Sequence, residues 1–307
     1  MSYHQPVLLS VAVEGLNINP NGIYVDLTFG GGGHSKEILK HITTGKLFAF
    51  DQDSDAAKQA ALVSHPGFTF IEANFRYLKN YLKLYQIMQV DGVLADLGIS
   101  SYQIDTRDRG FSTRLGGNLD MRMDQRQLLT AEKILNEYSE EQLHHILGLY
   151  GEVRNAKIVA AAIVKARMAN PIRSIDQLKI ILDGYTKSQE RFKYYAQVFQ
   201  ALRIEVNDEM ISLREMLQQL PSLIKKGGRL VVISYHSLED RIVKNMINKG
   251  NVDGQLEKDI IYGHVAKPFR AITPRPLTPS VEEIEKNNRS RSAKLRIAEK
   301  IEYESRR

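Results

Sequence analysis

The chain has 307 residues, of which 43% are hydrophobic and 25% charged, and its net charge is +6. This composition is typical of a soluble globular protein and argues against a disordered or fibrous chain. No cysteine is present, which excludes disulfides, thiol nucleophiles and cysteine-ligated metals; we predict no metal site. No apolar run approaches the ~18 residues of a membrane span, and residues 1–6 do not resemble a signal peptide, so we expect a cytoplasmic protein without a membrane partner.

Four consecutive glycines, Gly30 to Gly33, follow a short apolar segment. Residues 23–27 predict a buried strand, and residues 35–39 predict a helix with Ser35 or His34 near its N-cap. Glycines in such a run favour a turn where the backbone passes close to a ligand. Strand, glycine turn and helix together are typical of the first half of a nucleotide-binding unit. A tight turn with a structural role alone is the alternative.

A carboxylate, Asp51, follows the next predicted strand, residues 46–50, about twenty residues after the glycines, where nucleotide-binding folds bind ribose hydroxyls. The glycines do not match the strict dinucleotide pattern, because Ser35 stands at the sixth position counted from Gly30. A pyrophosphate needs an open helix N-terminus, and His34 lies at that end. S-adenosylmethionine carries no phosphate, so the turn favours methyl transfer over hydride transfer.

Two more predicted strands, residues 68–72 and 90–95, are followed by Phe75 and Asp96. Ligands of doubly wound sheets lie beyond the carboxyl ends of the strands, so we expect Phe75 to pack on an adenine face. A core position for this aromatic ring is the alternative. The loop after Asp96 contains Gly98 and two serines, and such a loop suits a planar amine near the cofactor.

The next strand, residues 228–234, comes more than a hundred residues later, although a βαβ unit needs only ~30. The segment between reads as helices, with capping boxes at Ser139/Gln142 and Ser174/Gln177. We therefore predict an all-helical insertion at 106–205 in a core formed by 1–105 and 206–307.

Basic residues avoid the predicted cofactor half. Residues 1–105 contain more Asp and Glu than Lys and Arg, whereas 106–205 and 267–307 have the opposite balance. This distribution favours a polyanionic partner, although solvated helix faces explain it equally well. Five arginines in two loops are candidates for contacts with RNA phosphates: Arg109, Arg114, Arg122, Arg289 and Arg291. Asp–Arg pairs that only fasten the first loop are the alternative.

The C-terminal third contains three further features. His236 follows strand 228–234 and either takes part in the reaction or, with Ser237, caps the next helix. Residues 264–280 contain four prolines and predict an arm over the surface. Residues 293–297 alternate apolar and basic as an edge strand does.

Six motifs, in order over nearly the whole chain, resemble the bacterial ribosomal RNA small-subunit methyltransferase H family, also called MraW. They occupy residues 26–35, 96–101, 109–112, 119–123, 199–204 and 236–241. The departures are slight: Tyr235 stands where the family usually has Phe, and Gly117-Asn118 replaces a common Gly-Pro.

The resemblance implies an α/β fold, a class I (Rossmann-like) methyltransferase core with an inserted helical substrate-recognition domain. It implies methyl transfer from S-adenosylmethionine to the N4 amine of a cytosine in the decoding region of 16S rRNA, within the small ribosomal subunit. By the family's pattern the cofactor contacts fall on Gly32, Gly33, His34, Asp51, Phe75, Asp96 and Gln103.

For catalysis we expect Ser100, with the loop carbonyls, to orient the amine and His236 to line its opposite side. A nicotinamide-dependent oxidoreductase and a noncatalytic RNA-binding assembly factor are the alternative functions. A homo-oligomer is compatible with the sequence, which does not indicate the oligomeric state.

Overall fold

The computed structural model describes residues 6–255 and 267–302. It divides the chain into two compact units, one formed by Met1–Gly98 with Met210–Arg307 and the other by Ile99–Glu209. The first three residues of the predicted 264–280 arm lie outside the described residues. Among the residues described, no helix is long and apolar enough to cross a membrane.

The first unit is built on a seven-stranded sheet within the described residues, in the order β3-β2-β1-β4-β5-β7-β6. Strands β1 to β5 run parallel, and β7 is antiparallel to both β5 and β6. The strands are β1 (Ile23–Asp26), β2 (Lys46–Asp51), β3 (Phe68–Glu72), β4 (Val90–Asp96), β5 (Ile224–Ser234), β6 (Phe269–Ala271) and β7 (Lys294–Lys300). The strand order reverses between β1 and β4, and ligands of open α/β sheets bind at this crevice.

Seven helices of the described residues accompany this sheet: α1 (Leu9–Gly15), α2 (Gly33–Lys40), α3 (Ser54–Ala60), α4 (Leu78–Leu84), α11 (Glu209–Leu223), α12 (Ser237–Lys249) and α13 (Val281–Lys286). Helix α11 begins at the last residue of the second unit. The central strands are apolar because both faces of a parallel sheet are covered; Val25, Leu47, Leu94 and Val231 are at most 1% exposed.

The second unit is helical. Its helices are α5 (Ser101–Asp105), α6 (Ala131–Glu137), α7 (Glu140–Leu149), α8 (Ala156–Ala169), α9 (Ile175–Asp183) and α10 (Arg191–Asn207). The predicted capping boxes at Ser139/Gln142 and Ser174/Gln177 are present and begin α7 and α9. The unit has its own apolar cluster, which includes Leu135, Val159 and Leu202, all fully buried.

Three predicted elements differ from the structure. Helix α2 begins at Gly33, earlier than predicted, and its N-cap is Gly32, so His34 and Ser35 lie in its first turn, near the N-cap as expected. Strand β7 is not an edge strand, because it lies between β5 and β6. Among the described residues the sheet ends at β3 on one side and at β6 on the other, and β6 lies within the segment that the prolines predicted to be an arm over the surface.

Candidate active site

The glycine turn connects β1 to α2, and local packing explains its composition. Gly30 and Gly32 have φ angles of 52° and 76°, in the left-handed region that favours glycine. A Cβ atom on Gly32 would lie 2.5 Å from the Phe29 ring, and one on Gly33 would lie 2.0 Å from Cγ of Pro6. Both predicted cofactor glycines therefore stand where a side chain does not fit.

Asp51 at the end of β2 is bound directly to this turn. Its carboxylate accepts hydrogen bonds from the backbone N–H of Gly30 at 2.8 Å and of Asp53 at 2.9 Å. Burial raises the pKa of Asp51 to about 6, against the lowering effect of these two hydrogen bonds. The structure thus brings the predicted ribose carboxylate and the glycine turn together.

Asp96 at the end of β4 lies in a second polar cluster. The Tyr235 hydroxyl donates to its Oδ1 at 2.7 Å, and Nδ1 of His34 lies 3.8 Å from its Oδ2. The Asp96 backbone N–H donates to Oγ1 of Thr28 at 2.6 Å, which ties β4 to the segment after β1. Burial raises the pKa of Asp96 to about 6, while the nearby His34 lowers it.

The His34 side chain is turned into the protein. It is only 5% exposed, and its Nε2 donates to the Val7 carbonyl at 3.1 Å. Because Nε2 donates to this carbonyl, the other ring nitrogen, Nδ1, is the one that faces Asp96. Both ring nitrogens of His34 therefore face groups of the protein.

A third carboxylate, Asp26, was not singled out from the sequence. It is fully buried at the end of β1, where its oxygens accept from Oγ of Ser35 at 2.6 Å and from the Thr28 backbone N–H at 3.1 Å. Burial raises its pKa, and the nearby His34 opposes the rise. The sequence could have identified Asp26 as a site residue, because it ends its strand as Asp51 and Asp96 do.

Ser100 and Gln103 belong to the second unit, where they form the capping box that begins α5. Oγ of Ser100 accepts from the Gln103 backbone N–H at 3.2 Å, and Oε1 of Gln103 accepts from the Ser100 backbone N–H at 3.0 Å. This segment is predicted above as a loop, although its Ser-x-x-Gln pattern is that of a capping box. That pattern accounts for Gln103, which spacing alone did not identify.

His236 caps α12, as one of the two sequence interpretations expected. Its Nδ1 accepts from the Glu239 backbone N–H at 3.4 Å, and its Nε2 lies 3.2 Å from Oε1 of Glu239. Nδ1 can accept only when it carries no proton, so the neutral ring has its proton on Nε2. The ring is thereby held by α12 itself.

The arginines of the 107–124 loop are largely engaged inside the second unit. Arg109 is 5% exposed and donates to the carbonyls of Arg122 and Met123. This corrects its prediction as an RNA contact, because a buried guanidinium bound to main-chain oxygens is not presented to a phosphate. Arg122 forms a bidentate ion pair with Asp120, so the fastening alternative describes it better.

The remaining predicted residues lie at or near the surface of their units. Arg114 and Arg291 are exposed, and Arg289 is half-buried. Phe75 is half-buried in a 3-10 turn just after β3. Its position at the carboxyl edge of the sheet agrees with the place predicted for an adenine contact.

The charges around the glycine turn decide which cofactor suits it. The adjacent strands β2, β1 and β4 end in three carboxylates, Asp51, Asp26 and Asp96 respectively. Carboxylates repel the pyrophosphate of a dinucleotide but attract the positive sulfonium and ammonium groups of S-adenosylmethionine. The residues present therefore fit that cofactor and disfavour NADH.

The parallel β3-β2-β1-β4-β5 order with an antiparallel β7, together with this carboxylate-lined turn, defines a class I, Rossmann-like methyltransferase. Comparison with known families narrows the assignment. The chain belongs to the MraW methylase family, which it matches over residues 1–301. S-adenosylmethionine is accordingly its cofactor.

Curated relatives match over nearly their whole length. The ribosomal RNA small subunit methyltransferase H of Cytophaga hutchinsonii is 58% identical over 298 residues, covering 97% of this chain and 99% of the relative. The protein of the same name from Bacteroides thetaiotaomicron is 53% identical, covering 98% of each chain. Among solved structures, an rRNA methylase from Streptococcus thermophilus covers 95% of this chain and 93% of its own, at 11% identity and a TM-score of 0.42. Such a score is too low to support the assignment, which rests on the strand order and the family match.

Proposed function

We propose that this protein transfers a methyl group from S-adenosylmethionine to the N4 amine of a cytosine in the decoding region of 16S rRNA of the small ribosomal subunit. The observation that carries the proposal is the match, at 58% identity over almost the full chain, to a relative named ribosomal RNA small subunit methyltransferase H. The base and its atom come from the resemblance of the six motifs.

The chemistry sets clear demands on the site. When bound, the cofactor supplies an electrophilic methyl group on a sulfonium. The cytosine amine is a weak nucleophile because its lone pair is delocalised into the ring. It must therefore be aligned with the methyl group and lose a proton as the new bond forms. The target base is turned out of its stack to reach such a site.

We assign the orientation of the amine to the 96–101 segment and to His236. Ser100 keeps its hydroxyl proton and one lone pair beyond the capping bond, so it remains able to hold an amine. His236 has its ring fixed by the cap of α12. We assign it a role in positioning the base, since its Nδ1 is engaged in the cap.

Substrate recognition falls to the helical unit and to the exposed basic residues. We assign RNA phosphate contacts to Arg114 and Arg291, both exposed, and to Arg289, which lies in the same 3-10 turn as Arg291. Such contacts position the RNA without reading its sequence.

The proposal is tested with small subunits purified from a strain that lacks this protein. Incubation with tritiated S-adenosylmethionine, followed by digestion to nucleosides, should give label in N4-methylcytidine. Label in another nucleoside would reject the base or the atom. Absence of label would favour the noncatalytic assembly factor.

Variants of His236 separate its two roles. His236→Asn keeps a side chain that caps helices well, whereas His236→Ala loses the cap. If the ring positions the base, both variants lose at least about tenfold in kcat. Recovery of kcat in His236→Asn, with a melting temperature like that of the wild type, would show that the residue acts only as a cap.

A further inference from the structure

Tyr235 forms a hydrogen bond that a phenylalanine cannot make. Its hydroxyl lies 2.7 Å from Oδ1 of Asp96. A carboxylate accepts only, so the phenol must be the donor to the ionised form.

The surrounding structure holds the pair rigidly. The Leu97 backbone N–H donates to the Ile233 carbonyl at 3.0 Å, which continues the β4–β5 pairing one residue past Asp96. The Tyr235 backbone N–H donates to Oε2 of Glu239 at 2.8 Å. A Cβ on Gly98 would lie 3.4 Å from the Tyr235 ring, so the glycine leaves room for the ring beside the loop.

Several charges bear on this carboxylate. His34 on α2 favours its ionised form, while Asp26 on β1 and Glu239 on α12 disfavour it, as does its burial. Tyr235 is the only one of these neighbours that donates a short hydrogen bond to the Asp96 side chain. The Tyr235 hydroxyl itself is kept protonated, because burial and the nearby Asp96, Glu239 and Glu283 raise its pKa well above its ordinary value.

We propose that Tyr235 is a positioning residue that keeps Asp96 ionised and oriented to receive the cationic cofactor at neutral pH. The ionised carboxylate attracts the positive charge of S-adenosylmethionine, and a protonated Asp96 does not. The inference depends on the cofactor and not on the RNA substrate, so failure of the rRNA proposal would leave it standing.

Calorimetric binding of S-adenosylmethionine to the full chain, from about pH 5.5 to 8.5, tests this role. Removing a hydrogen bond from the charged form raises the pKa of a carboxyl. In Tyr235→Phe the midpoint of the affinity loss should therefore move upward by about one pH unit from about 6. Near pH 6 the affinity should fall about fivefold, whereas near pH 8.5 it should change less than twofold.

Three further variants make the result decisive. Asp96→Asn should keep only the pH dependence that Asp51 contributes, whose pKa is also about 6, and adding Tyr235→Phe to it should change nothing more. Tyr138→Phe removes an equivalent tyrosine–carboxylate bond, to Glu205 in the helical unit, and should bind like the wild type. An equal loss of affinity at every pH, or an unchanged profile in Tyr235→Phe, would overturn the proposal.

Discussion

Among single residues, the most telling are three aspartates at the candidate site, where an ionised side chain costs the folded protein stability. Asp26, Asp51 and Asp96 are carboxylates whose pKa values burial raises. Asp51 accepts from Gly30 and Asp53, Asp26 accepts from Thr28 and Ser35, and Asp96 accepts from Tyr235. Burying an ionised group costs free energy even with such donors. The arrangement therefore favours cofactor binding at the expense of stability.

Asp96→Asn should make the protein more stable above about pH 6. The pKa of Asp96 in the folded chain, about 6, lies above its ordinary value of 3.8. Between these values the folded chain holds a proton that the unfolded chain releases, so its free energy of unfolding falls as pH rises. The variant lacks this loss, and the tyrosine hydroxyl can rotate to accept from the new amide.

Urea unfolding of both proteins measures the effect. The variant should gain about 1–2 kcal/mol at about pH 8 and almost nothing at about pH 4, with the gain discounted because the Asp96 side chain is 22% exposed. A difference that stays constant over this range would contradict the assignment of a raised pKa.

At the scale of elements, the glycine turn before α2 invites a matched pair of substitutions. Gly32 and Gly227 have similar φ angles, 76° and 79°. A Cβ on Gly32 meets the Phe29 ring, whereas one on Gly227 has nothing within 4 Å. Gly227→Ala should therefore cost about 1 kcal/mol from backbone strain alone. Gly32→Ala should cost about 2–4 kcal/mol because crowding adds to the strain.

Chemical denaturation of the two variants gives these values directly. S-adenosylmethionine affinity should fall in Gly32→Ala and stay unchanged in Gly227→Ala, which lies in β5 away from the turn. Equal destabilisation by both would mean that Phe29 moves aside without cost.

The sequence predicted correctly the starts of those helices that begin with a capping box. Two such helices begin at Ser139/Gln142 and Ser174/Gln177, where the side chains that define the sequence pattern also form the hydrogen bonds of the cap. The predicted start of helix α2 lies too far along the sequence, because its N-cap, Gly32, has no side chain that could form a recognisable capping pattern. Strand β7 was taken for an edge because alternation of apolar and basic residues describes one strand and not its neighbours. Its basic residue Arg296 faces Asp240 on α12.

The candidate site was also predictable only in part: the sequence indicated its strand-end carboxylates but not the contacts between distant segments. Asp51 and Asp96 follow from strand ends and the glycine turn, and both lie where the sequence placed them. The donor from Tyr235 and the buried orientation of His34 depend on tertiary packing between segments far apart in sequence. The spacing of residues along the sequence cannot predict such contacts.

At the scale of the whole molecule, the helical unit should fold by itself. Residues 99–209 form one continuous segment, and the apolar cluster that includes Leu135, Val159 and Leu202 is drawn entirely from it. A domain with its own core is able to fold alone. We expect the isolated fragment to give a helical far-ultraviolet spectrum and a single cooperative thermal transition.

The fragment carrying Val159→Asp is the control. It should lose the transition, because an aspartate at a fully buried position cannot be ionised without a large desolvation cost. A wild-type fragment that melts without cooperativity would show that the unit depends on the rest of the chain.

The position of β7 between β5 and β6 also sets an order of events during protein synthesis. The helical unit is complete once residue 209 has been made, when the sheet still lacks β5, β6 and β7. Because nascent chains fold domain by domain from the N-terminus, the inserted unit forms before the unit whose two segments flank it in the sequence. Val231 and Ile233 on β5 pair with Ile297 and Leu295, close to the C-terminus of the chain. A ribosome that stalls late in translation would leave the apolar edge of β5 exposed, so completion of the last strand protects the nascent protein from aggregation.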